Sequence, residues 1–356
     1  MDRRDFLKNT GGVAASLGVT IPAGAALVAA NDDHAAPGLQ AAPHLGSNVR
    51  ELTMSVSAAD NARGEGESAR RLARRLGEMS GGRLSVQILP GSDRAHADLR
   101  HGAAFEQGTS SPALAFFAGL PGRSGVSAAD LDAWLAIGGG QDLWDELAAE
   151  HGYRPMLAGH SGANPALWSR RLVRTSADFQ GLNFAGGALA SDVAQGLGAQ
   201  CVKLKGDEAT AAFKTHQIDA YEGPGAVYSM AAGLPVIAPF ALSGGINRNG
   251  LAQSLAVRLE LWSKLSASDR SLIESACAEE FRLVNAEARV HEALAWKVMQ
   301  HRHGLKLSQQ SVELAGAIDR VAEAVVAHVA GSSLQARRIN ASYMAFKAML
   351  PSPPVA

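Results

Sequence analysis

The sequence offers few side chains whose type and spacing suggest chemistry. Glu222 stands directly before the turn Gly223-Pro224-Gly225, where a carboxylate beside a turn could hold sodium or calcium through oxygen. A surface carboxylate is the alternative. His160 lies in a glycine-rich stretch, 159–162, and could donate a hydrogen bond to an anion, although a partly exposed loop histidine fits the same pattern. Both residues are therefore candidates for binding, each with a structural alternative.

No catalytic motif accompanies them. The sequence contains no Gly-x-Ser-x-Gly nucleophile elbow, no Gly-x-x-x-x-Gly-Lys phosphate loop and no paired-cysteine metal motif. His301 and His303 come nearest to a metal motif, but two residues apart on a helix they point to different faces, which favours solvated positions. This pattern argues against an enzyme.

The first thirty residues are typical of a twin-arginine export signal. Arg3 and Arg4 precede Phe6-Leu7-Lys8, and a weakly apolar, charge-free run follows to residue 30. Residues 31–48 show no periodicity and are rich in alanine, proline, asparagine and aspartate, as expected of a flexible leader. We therefore expect export to the periplasm.

Composition indicates a globular chain without affinity for polyanions. The 356 residues, 47% hydrophobic and 19% charged, suffice for two cored domains. Lysine and arginine total 33 against 34 acidic residues, so no basic surplus exists to bind nucleic acid. We expect Cys201 and Cys277 to be buried, unpaired thiols, although an oxidising compartment permits a bridge.

Hydrophobic periodicity predicts an α/β body. Leu52, Met54 and Val56 alternate with polar residues as in a strand, residues 62–79 have helical spacing, and 84–89 form a second strand. The chain thus opens as β-α-β, the unit of a parallel sheet. Short strands and helices alternate again from 182 to 221, and long amphipathic helices are predicted at 268–300 and 308–331.

The order and spacing of several phrases resemble one family, the solute-binding proteins of tripartite ATP-independent periplasmic (TRAP) transporters. The resemblance is to the subgroup that binds 2-oxo acids or related carboxylates, and it spans about residues 50–350. By resemblance, residues 112–121 form a strand of the ligand wall, and 159–171 form the crossover between two lobes. The phrases are PALAFFAGLP at 112–121, AWL at 133–135, GGG at 138–140, GHSG at 159–162, WSRR at 168–171, SADFQGL at 176–182, QIDA at 217–220, and Trp262 with Leu265.

The resemblance implies an α/β, two-lobed periplasmic-binding-protein fold with mixed sheets. A hinge of crossing strands and a long connecting helix join the lobes, and the C-terminus is helical. Hinge closure would enclose a small ligand in a dry cleft, where each hydrogen bond to a carboxylate counts for more. The implied segments are lobe I at 49–172, lobe II mainly at 173–252, lobe-spanning and C-terminal helices at 253–350, and a tail at 351–356.

The pocket departs from the family pattern at its carboxylate clamp. The family's clamping arginine falls on Ala185 in this sequence. Arg170, Arg171 and Arg174 lie nearby and are candidates to replace it, with solvated positions as the alternative. The stretch 103–111 is also shorter than the family's corresponding loop. The ligand is therefore expected to differ from the subgroup's usual one.

Two further family positions are partly kept. Asn164 occupies the position of an amide that helps hold a cation or the substrate, although asparagine before proline is also typical of a turn. Glu222 matches a cation-binding glutamate, but the tryptophan that follows it in the family is missing. Tyr221 is the candidate aromatic wall, or a buried structural tyrosine. His160 and Ala185 complete the expected ligand contacts, and Glu222 and Asn164 are the expected metal ligands.

These observations predict a protein that captures a small organic acid or similar polar solute for a TRAP-type membrane permease. We expect no catalysis and no required cofactor, with a sodium or calcium ion as an open addition to the ligand. A homodimer is an open alternative to a monomer. Two other functions stay open: an interaction module that has lost its small ligand, and an exported enzyme, since the twin-arginine route often carries cofactor enzymes.

Overall fold

The computed structural model describes residues 49–56, 65–89, 96–104, 111–163, 166–204, 208–223 and 225–351. The predicted signal at 1–30, the leader at 31–48, Asn164 and all of the tail except Pro351 lie outside these residues. None of the helices in the described part of the chain has the length and apolar composition needed to cross a membrane.

The first sheet has five strands in the order β2-β1-β3-β10-β4. β1 runs parallel to β2 and β3, whereas β10 is antiparallel to β3 and β4. The predicted β-α-β opening is confirmed, with Leu52, Met54 and Val56 buried. The strands are β1 (Arg50–Val56), β2 (Leu84–Leu89), β3 (Leu99–Ala103), β4 (Tyr153–His160) and β10 (Ala252–Arg258).

The second sheet has six strands in the order β11-β9-β5-β8-β6-β7. β8, β6 and β7 are mutually parallel, and β5 is antiparallel to β8 and β9. Both sheets are therefore mixed, as predicted. The strands are β5 (Ala166–Ser169), β6 (Asn183–Ala185), β7 (Gln200–Cys201), β8 (Ala220–Glu222), β9 (Phe240–Ser243) and β11 (Lys306–Gln309).

Helices cover both sheets and make up most of the C-terminal region. They are α1 (Glu65–Met79), α2 (Ala115–Ala118), α3 (Ala128–Ala136), α4 (Gly140–Ala149), α5 (Ala188–Gly196), α6 (Ala209–Lys214), α7 (Ala226–Ala231), α8 (Leu234–Ile237), α9 (Leu259–Lys264), α10 (Ala267–His303), α11 (Val312–Gly331) and α12 (Leu334–Met349).

Helix α10 joins the two cores. Its 37 residues begin at the Ser266 cap, whose side chain accepts from the Asp269 N–H, and they end at Gly304 in the left-handed conformation. At 1.5 Å per residue the helix is about 55 Å long. Cys277, near its start, packs in the core of the first sheet, and Met299, near its end, packs in the core of the second. The predicted long connecting helix is therefore present.

Three local predictions are wrong. Residues 112–121 are not a strand: Pro112–Leu114 forms a 3-10 turn that continues into α2, because a contiguous apolar run without alternation can equally be buried as a helix. Phe117 stacks there between Trp134 and Trp144, with ring centroids 5.2 Å apart in both pairs. Residues 308–331 are not one helix, since Ser308 lies in β11 and Ser311 caps α11.

The third error concerns the cysteines. Both thiols are free, but Cys201 is exposed on β7 at the edge of the second sheet, whereas Cys277 is buried.

Two expected segment boundaries also differ from the sheets. β5 belongs to the second sheet although it precedes residue 172, and β10 runs through the first sheet although 253–350 was expected to be helical. Both differences arise because strand pairing is non-local, and a segment's own periodicity does not show which sheet accepts it.

Besides the long helix α10, two short crossings connect the sheets, and these two crossings touch. The chain leaves the first sheet after His160 and returns through residues 244–251, which we call the return crossover. The Ser161 N–H donates to the Leu251 carbonyl at 2.9 Å, and the Leu251 N–H donates to Ser161 Oγ at 2.9 Å. A β-carbon on Gly250 would lie 1.9 Å from the Gly162 carbonyl oxygen, and Gly250 has φ +82°. Only glycine fits this approach.

A buried polar network fixes α1 to α10. The Arg71 guanidinium donates to Glu280 through Nη2 at 2.5 Å and to Glu287 through Nη1 at 3.1 Å. Ser68 Oγ donates to Glu280 at 2.9 Å and lies 3.3 Å from His101 Nε2 on β3. Burial, with a smaller contribution from Arg71, lowers the pKa of His101 to about 4. The ion pair compensates the burial of the Glu280 carboxylate.

We predict that Gly250→Ala lowers the free energy of unfolding by more than about 2 kcal/mol, because the new methyl group would overlap the Gly162 carbonyl at a positive φ. Chemical denaturation measures the change. Gly316→Ala in α11 is the control: its β-carbon would meet only Arg320 Nη1 at 3.7 Å, and alanine in a helix should stabilise by about 0.5–1 kcal/mol. Equal stability of Gly250→Ala and wild type would contradict the prediction.

We also predict a pH-dependent effect of His101→Gln. Because the folded-state pKa of His101 is lowered from 6.5 to about 4, its contribution to stability is present above pH 6.5 and is lost as the pH falls to about 4. The advantage of wild type over His101→Gln should shrink across that range by up to about 1.4 kcal/mol per pH unit. Denaturation curves at pH 7, 5.5 and 4 measure it, with exposed His151→Gln as the control. A constant difference would refute the assignment.

Candidate functional site

The carboxyl ends of parallel strands mark the candidate site in the first sheet, since ligands of open α/β sheets bind there. An open cavity of about 220 Å³ lies at the ends of β1 and β2. Val56 is the last residue of β1 and Ile88 is near the end of β2, while Gly66 and Arg70 come from the first turns of α1. This edge combines two apolar walls with one guanidinium group.

A larger cavity lies elsewhere. It has a volume of about 510 Å³ and is lined by Arg123, Glu323 and Met344, among others, between α11 and α12. No strand ends at its lining residues, so we place the candidate site at the strand ends instead.

In the second sheet, three of the predicted site residues lie at one edge. Ala185 ends β6 and Glu222 ends β8, and the register pairs Ala185 with Tyr221. These two parallel strands lead through glycines into α5 and α7. The predicted grouping of Ala185, Tyr221 and Glu222 is thus consistent with the sheet, whereas their roles toward a ligand stay predictions.

Glu222 is buried and connects β8 to the return crossover. One carboxylate oxygen accepts the Ile246 N–H at 2.5 Å and the other accepts the Asn247 N–H at 2.9 Å. Burial raises the pKa of Glu222 to about 7, and the hydrogen bonds from Ile246 and Asn247 oppose that rise. The alternative of a surface carboxylate is therefore wrong. The Asn247 side chain donates a third hydrogen bond to this carboxylate, so about one of its four lone-pair positions is left that could face a cation.

Asn247 is a residue that sequence reasoning missed. Its side chain is buried and hydrogen-bonds to Glu222, and its Oδ1 atom has no hydrogen-bond partner among the described residues. A buried amide oxygen beside a buried carboxylate is a donor set that suits a hard cation. Only its position between two glycine-rich turns, 244–245 and 250, could have singled it out in the sequence.

Tyr221 is mostly buried, beside the cluster that contains Trp168 and Phe213. Burial raises its pKa, and the neighbouring Tyr228 and Glu222 raise it further. Because the ring packs against this core, the contacts support the alternative that Tyr221 is a buried structural tyrosine. An aromatic wall would use the part of the ring that stays exposed.

Ala185 has only 1% of its surface exposed and belongs to the same cluster. Its side chain therefore contacts the core, and an arginine there would carry its charge into packed side chains.

The proposed replacement of the clamp by Arg170 or Arg171 is wrong. Ser169 pairs with Ala220 at the start of β8, so the chain beyond Ser169 lies at the opposite edge from Glu222. Arg170 donates to the Ile218 carbonyl at 3.4 Å, and Arg171 donates to the Asp178 carbonyl at 3.0 Å. Arg174 follows on the same side, next to the 3-10 turn Ser176–Phe179.

His160 lies at the end of β4, where the chain leaves the first sheet. It is 1% exposed, so the alternative of a partly exposed loop residue is wrong. Its Nδ1 atom accepts the Gly162 N–H at 3.1 Å, and burial lowers its pKa to about 4. At neutral pH the ring is uncharged, with the proton on Nε2, which is the atom that could donate to an anion.

The middle of α10 contacts both halves of the molecule. Glu287 binds Arg71 on the side of the first sheet, and Glu292 accepts the Ala226 N–H at 2.5 Å and the Val227 N–H at 3.2 Å at the start of α7. Between them, Ala288 lies against Gly162. This stretch of α10 therefore contacts elements of both sheets next to the first crossing.

One buried group of residues resembles a catalytic triad in composition but not in geometry. Ser68, His101 and Glu280 resemble a triad in composition, but Glu280 binds the serine hydroxyl rather than the imidazole, and all three are buried. A triad needs the carboxylate on the far side of the imidazole. Within the described ranges, no group of three or more His, Cys, Asp or Glu side chains could hold a metal ion.

Comparison with known proteins places this geometry in a family. A model of the bacterial extracellular solute-binding proteins of family 7, called DctP, matches residues 55–330. A monocarboxylate 2-oxoacid-binding periplasmic protein of Nostoc is 26% identical over 223 residues, an alignment that spans 59% of this chain and only 61% of that protein.

Solved structures share the fold. A TRAP transporter solute-binding protein from Bordetella bronchiseptica, with copurified calcium and picolinate, has a TM-score of 0.78 at 21% identity, covering 85% of this chain and 92% of its own. A TRAP periplasmic solute-binding protein from Pseudoalteromonas atlantica, with bound sodium and pyruvate, has the same TM-score at 20% identity, covering 85% and 94%. The family match covers most of the chain, and this protein belongs to the family 7 bacterial extracellular solute-binding proteins.

Proposed function

We propose that this protein captures a small organic acid between its two sheets and delivers it to a TRAP-type membrane permease. The observation that carries the proposal is the arrangement of two mixed sheets, joined by two crossings and one long helix. Such an arrangement permits hinge closure around a ligand. Membership of a family of extracellular solute-binding proteins supports it.

The class of ligand rests on the similar proteins and on the site. The Nostoc relative is named for monocarboxylate 2-oxoacids, and the two similar structures hold pyruvate or picolinate, each a monocarboxylate. A closed, dry cleft strengthens hydrogen bonds to such an anion. A calcium or sodium ion accompanies the ligand in both structures, and here Glu222, Asn247 Oδ1 and the sequence-predicted Asn164 would supply oxygen ligands to it.

The same proposal includes export and the absence of catalysis. The twin-arginine segment at 1–30 would deliver the protein to the periplasm, where the permease can meet it. Arg71 and Glu280 bind each other in the buried Ser68 cluster, and that cluster has a structural role in the fold.

One observation favours a second candidate. Ala185, the position of the family's clamping arginine, is packed in the core, which fits a scaffold that has lost its small ligand and serves as an interaction module. Native mass spectrometry of the mature protein separates the candidates. A copurified acid supports the first, and a ligand-free protein without response to any acid supports the second.

We predict that the mature protein binds pyruvate or picolinate without converting it. Binding to the folded state raises the melting temperature by mass action, so a thermal shift that grows with acid concentration is expected. Calorimetry gives the affinity, and chromatography of the recovered ligand tests for turnover. Chemical conversion of the acid would overturn the binding-protein assignment.

We predict that Glu222→Ala weakens binding of the acid at least tenfold, about 1.4 kcal/mol. The substitution removes both acceptors of the Ile246 and Asn247 N–H groups and one candidate cation ligand. Calorimetry with pyruvate, with and without added calcium, measures the loss and shows whether calcium still matters. Glu260→Ala, an exposed glutamate of α9, is the control. Wild-type affinity in a folded Glu222→Ala variant would remove Glu222 from the site.

A further inference from the structure

The even charge balance of the whole chain conceals a local excess of one sign at the end of α10. No acidic residue occurs in the sequence between Glu292 and Glu313. Lysine and arginine there stay positively charged at any physiological pH. We call the following five residues, which lie within ten positions of the chain and are all exposed, the cationic end: Lys297, His301, Arg302, His303 and Lys306.

The elements around the cationic end add no negative charge. The helices α7 and α8 and the strands β9 and β11 contain no acidic residue. Side chains from all four elements share one core with Met299 and Leu305 at the end of α10. Glu292, the last acidic residue of α10, is partly buried and accepts the Ala226 and Val227 N–H groups. None of these four elements therefore offsets the charge of the lysines.

An exposed apolar side chain lies close to these cations. Val236 in α8 is 73% exposed, and Pro239, three residues later, accepts the Lys306 N–H through its carbonyl at 3.0 Å. The Lys306 ammonium group also lies over the partly buried Phe240 ring, 5.3 Å from the ring centroid. Basic groups beside exposed apolar and aromatic side chains are typical of surfaces that bind at the headgroup level of a membrane.

Basic residues in the last turn of a helix also have a structural explanation, since they complement the negative end of the helix dipole. That explanation covers residues 301–303. It does not cover Lys306, which follows the helix in β11, or Lys297, which lies more than one turn before the end of α10. It also leaves the exposure of Val236 unexplained. A surface that binds an external partner accounts for all of these features.

We propose that the cationic end, together with Val236, docks this protein on a membrane that contains anionic lipids. This inference goes beyond the proposed function. Each lysine or arginine near an anionic membrane strengthens binding about fivefold, and the attraction falls off within a Debye length. Three such residues give a weak, reversible attachment, which keeps the protein at the surface where a membrane permease lies.

A lipid surface suits this group of residues better than an acidic protein surface does. Both would attract the cations, but a single exposed valine needs a matching pocket on a protein partner. Lipid headgroups give way to a small apolar side chain wherever it touches them, because the acyl boundary lies directly beneath. The combination of Val236 with Lys306 therefore favours lipid.

The test measures co-sedimentation of the full mature protein with lipid vesicles. Vesicles of phosphatidylcholine mixed with phosphatidylglycerol supply the anionic surface, and vesicles of pure phosphatidylcholine are the neutral comparison. The double variant Lys297→Gln, Lys306→Gln removes two charges from the cationic end. The matched control is Lys264→Gln with Arg74→Gln, which removes two exposed charges from helices that pack on the first sheet. Lys297→Arg with Lys306→Arg restores the charge and shows that the positions tolerate substitution.

We expect the wild type to bind the anionic vesicles but not the neutral ones, and to be released by added salt. The Lys297, Lys306 glutamine variant should bind about fivefold more weakly for each charge removed, whereas the control and the arginine variant bind like wild type. Val236→Ser should weaken binding while its salt dependence stays unchanged. Absence of wild-type binding, or equal losses in the two glutamine double variants, would overturn the proposal.

The other partner that cations attract has its own outcome. Binding only to vesicles that contain the reconstituted permease would assign the cationic end to an acidic protein surface and would overturn docking on lipid. Vesicle binding requires no solute, so this test is independent of calorimetry with the organic acids. The inference fails alone if acids bind and anionic vesicles do not, and the proposed function fails alone if the reverse is found.

Discussion

The rest of this fold depends on the close backbone contact between its two crossings. Gly250 approaches the Gly162 carbonyl so closely that no β-carbon fits, and two hydrogen bonds join Ser161 to Leu251 on either side of that contact. The two sheets are therefore connected at one backbone junction, where the crossing after β4 contacts the crossing before β10. Helix α10 crosses the same junction, with Ala288 against Gly162. Any movement of one sheet relative to the other must be accommodated here.

Charge at this junction follows from the same geometry. Glu222 is buried because the return crossover covers the end of β8, and its carboxylate is compensated by backbone N–H groups of that crossover instead of by a basic side chain. These hydrogen bonds compensate the burial only in part, so the pKa of Glu222 in the folded state rises to about 7. The stability that Glu222 contributes is therefore present below pH 4.5 and is lost as the pH rises through 7. A bound cation would reverse that loss, which links ion binding to the hinge.

Sequence patterns predicted the elements better than their pairing. The β-α-β opening and the long helix were predictable, because alternation and 3.6-residue spacing are local signals. The position of β5 in the second sheet and of β10 in the first was not, since strand pairing depends on residues far away in sequence. For the same reason the site was only partly predictable. Ala185, Tyr221 and Glu222 share an edge as expected, but Ala185 is buried by residues distant in sequence, and the partners of Glu222 come from the return crossover.

The arginines of this protein show why residue type alone does not identify an anion site. Arg170 and Arg171 stand near Ala185 in the sequence. However, β5 is antiparallel to β8, so these two arginines follow β5 at the edge of the sheet opposite to Glu222. Anion recognition depends on the edge that a side chain reaches. The topology of the sheets determines that edge. Resemblance to a family predicts the topology, but it does not predict which side chain binds the ligand when the clamping residue has changed.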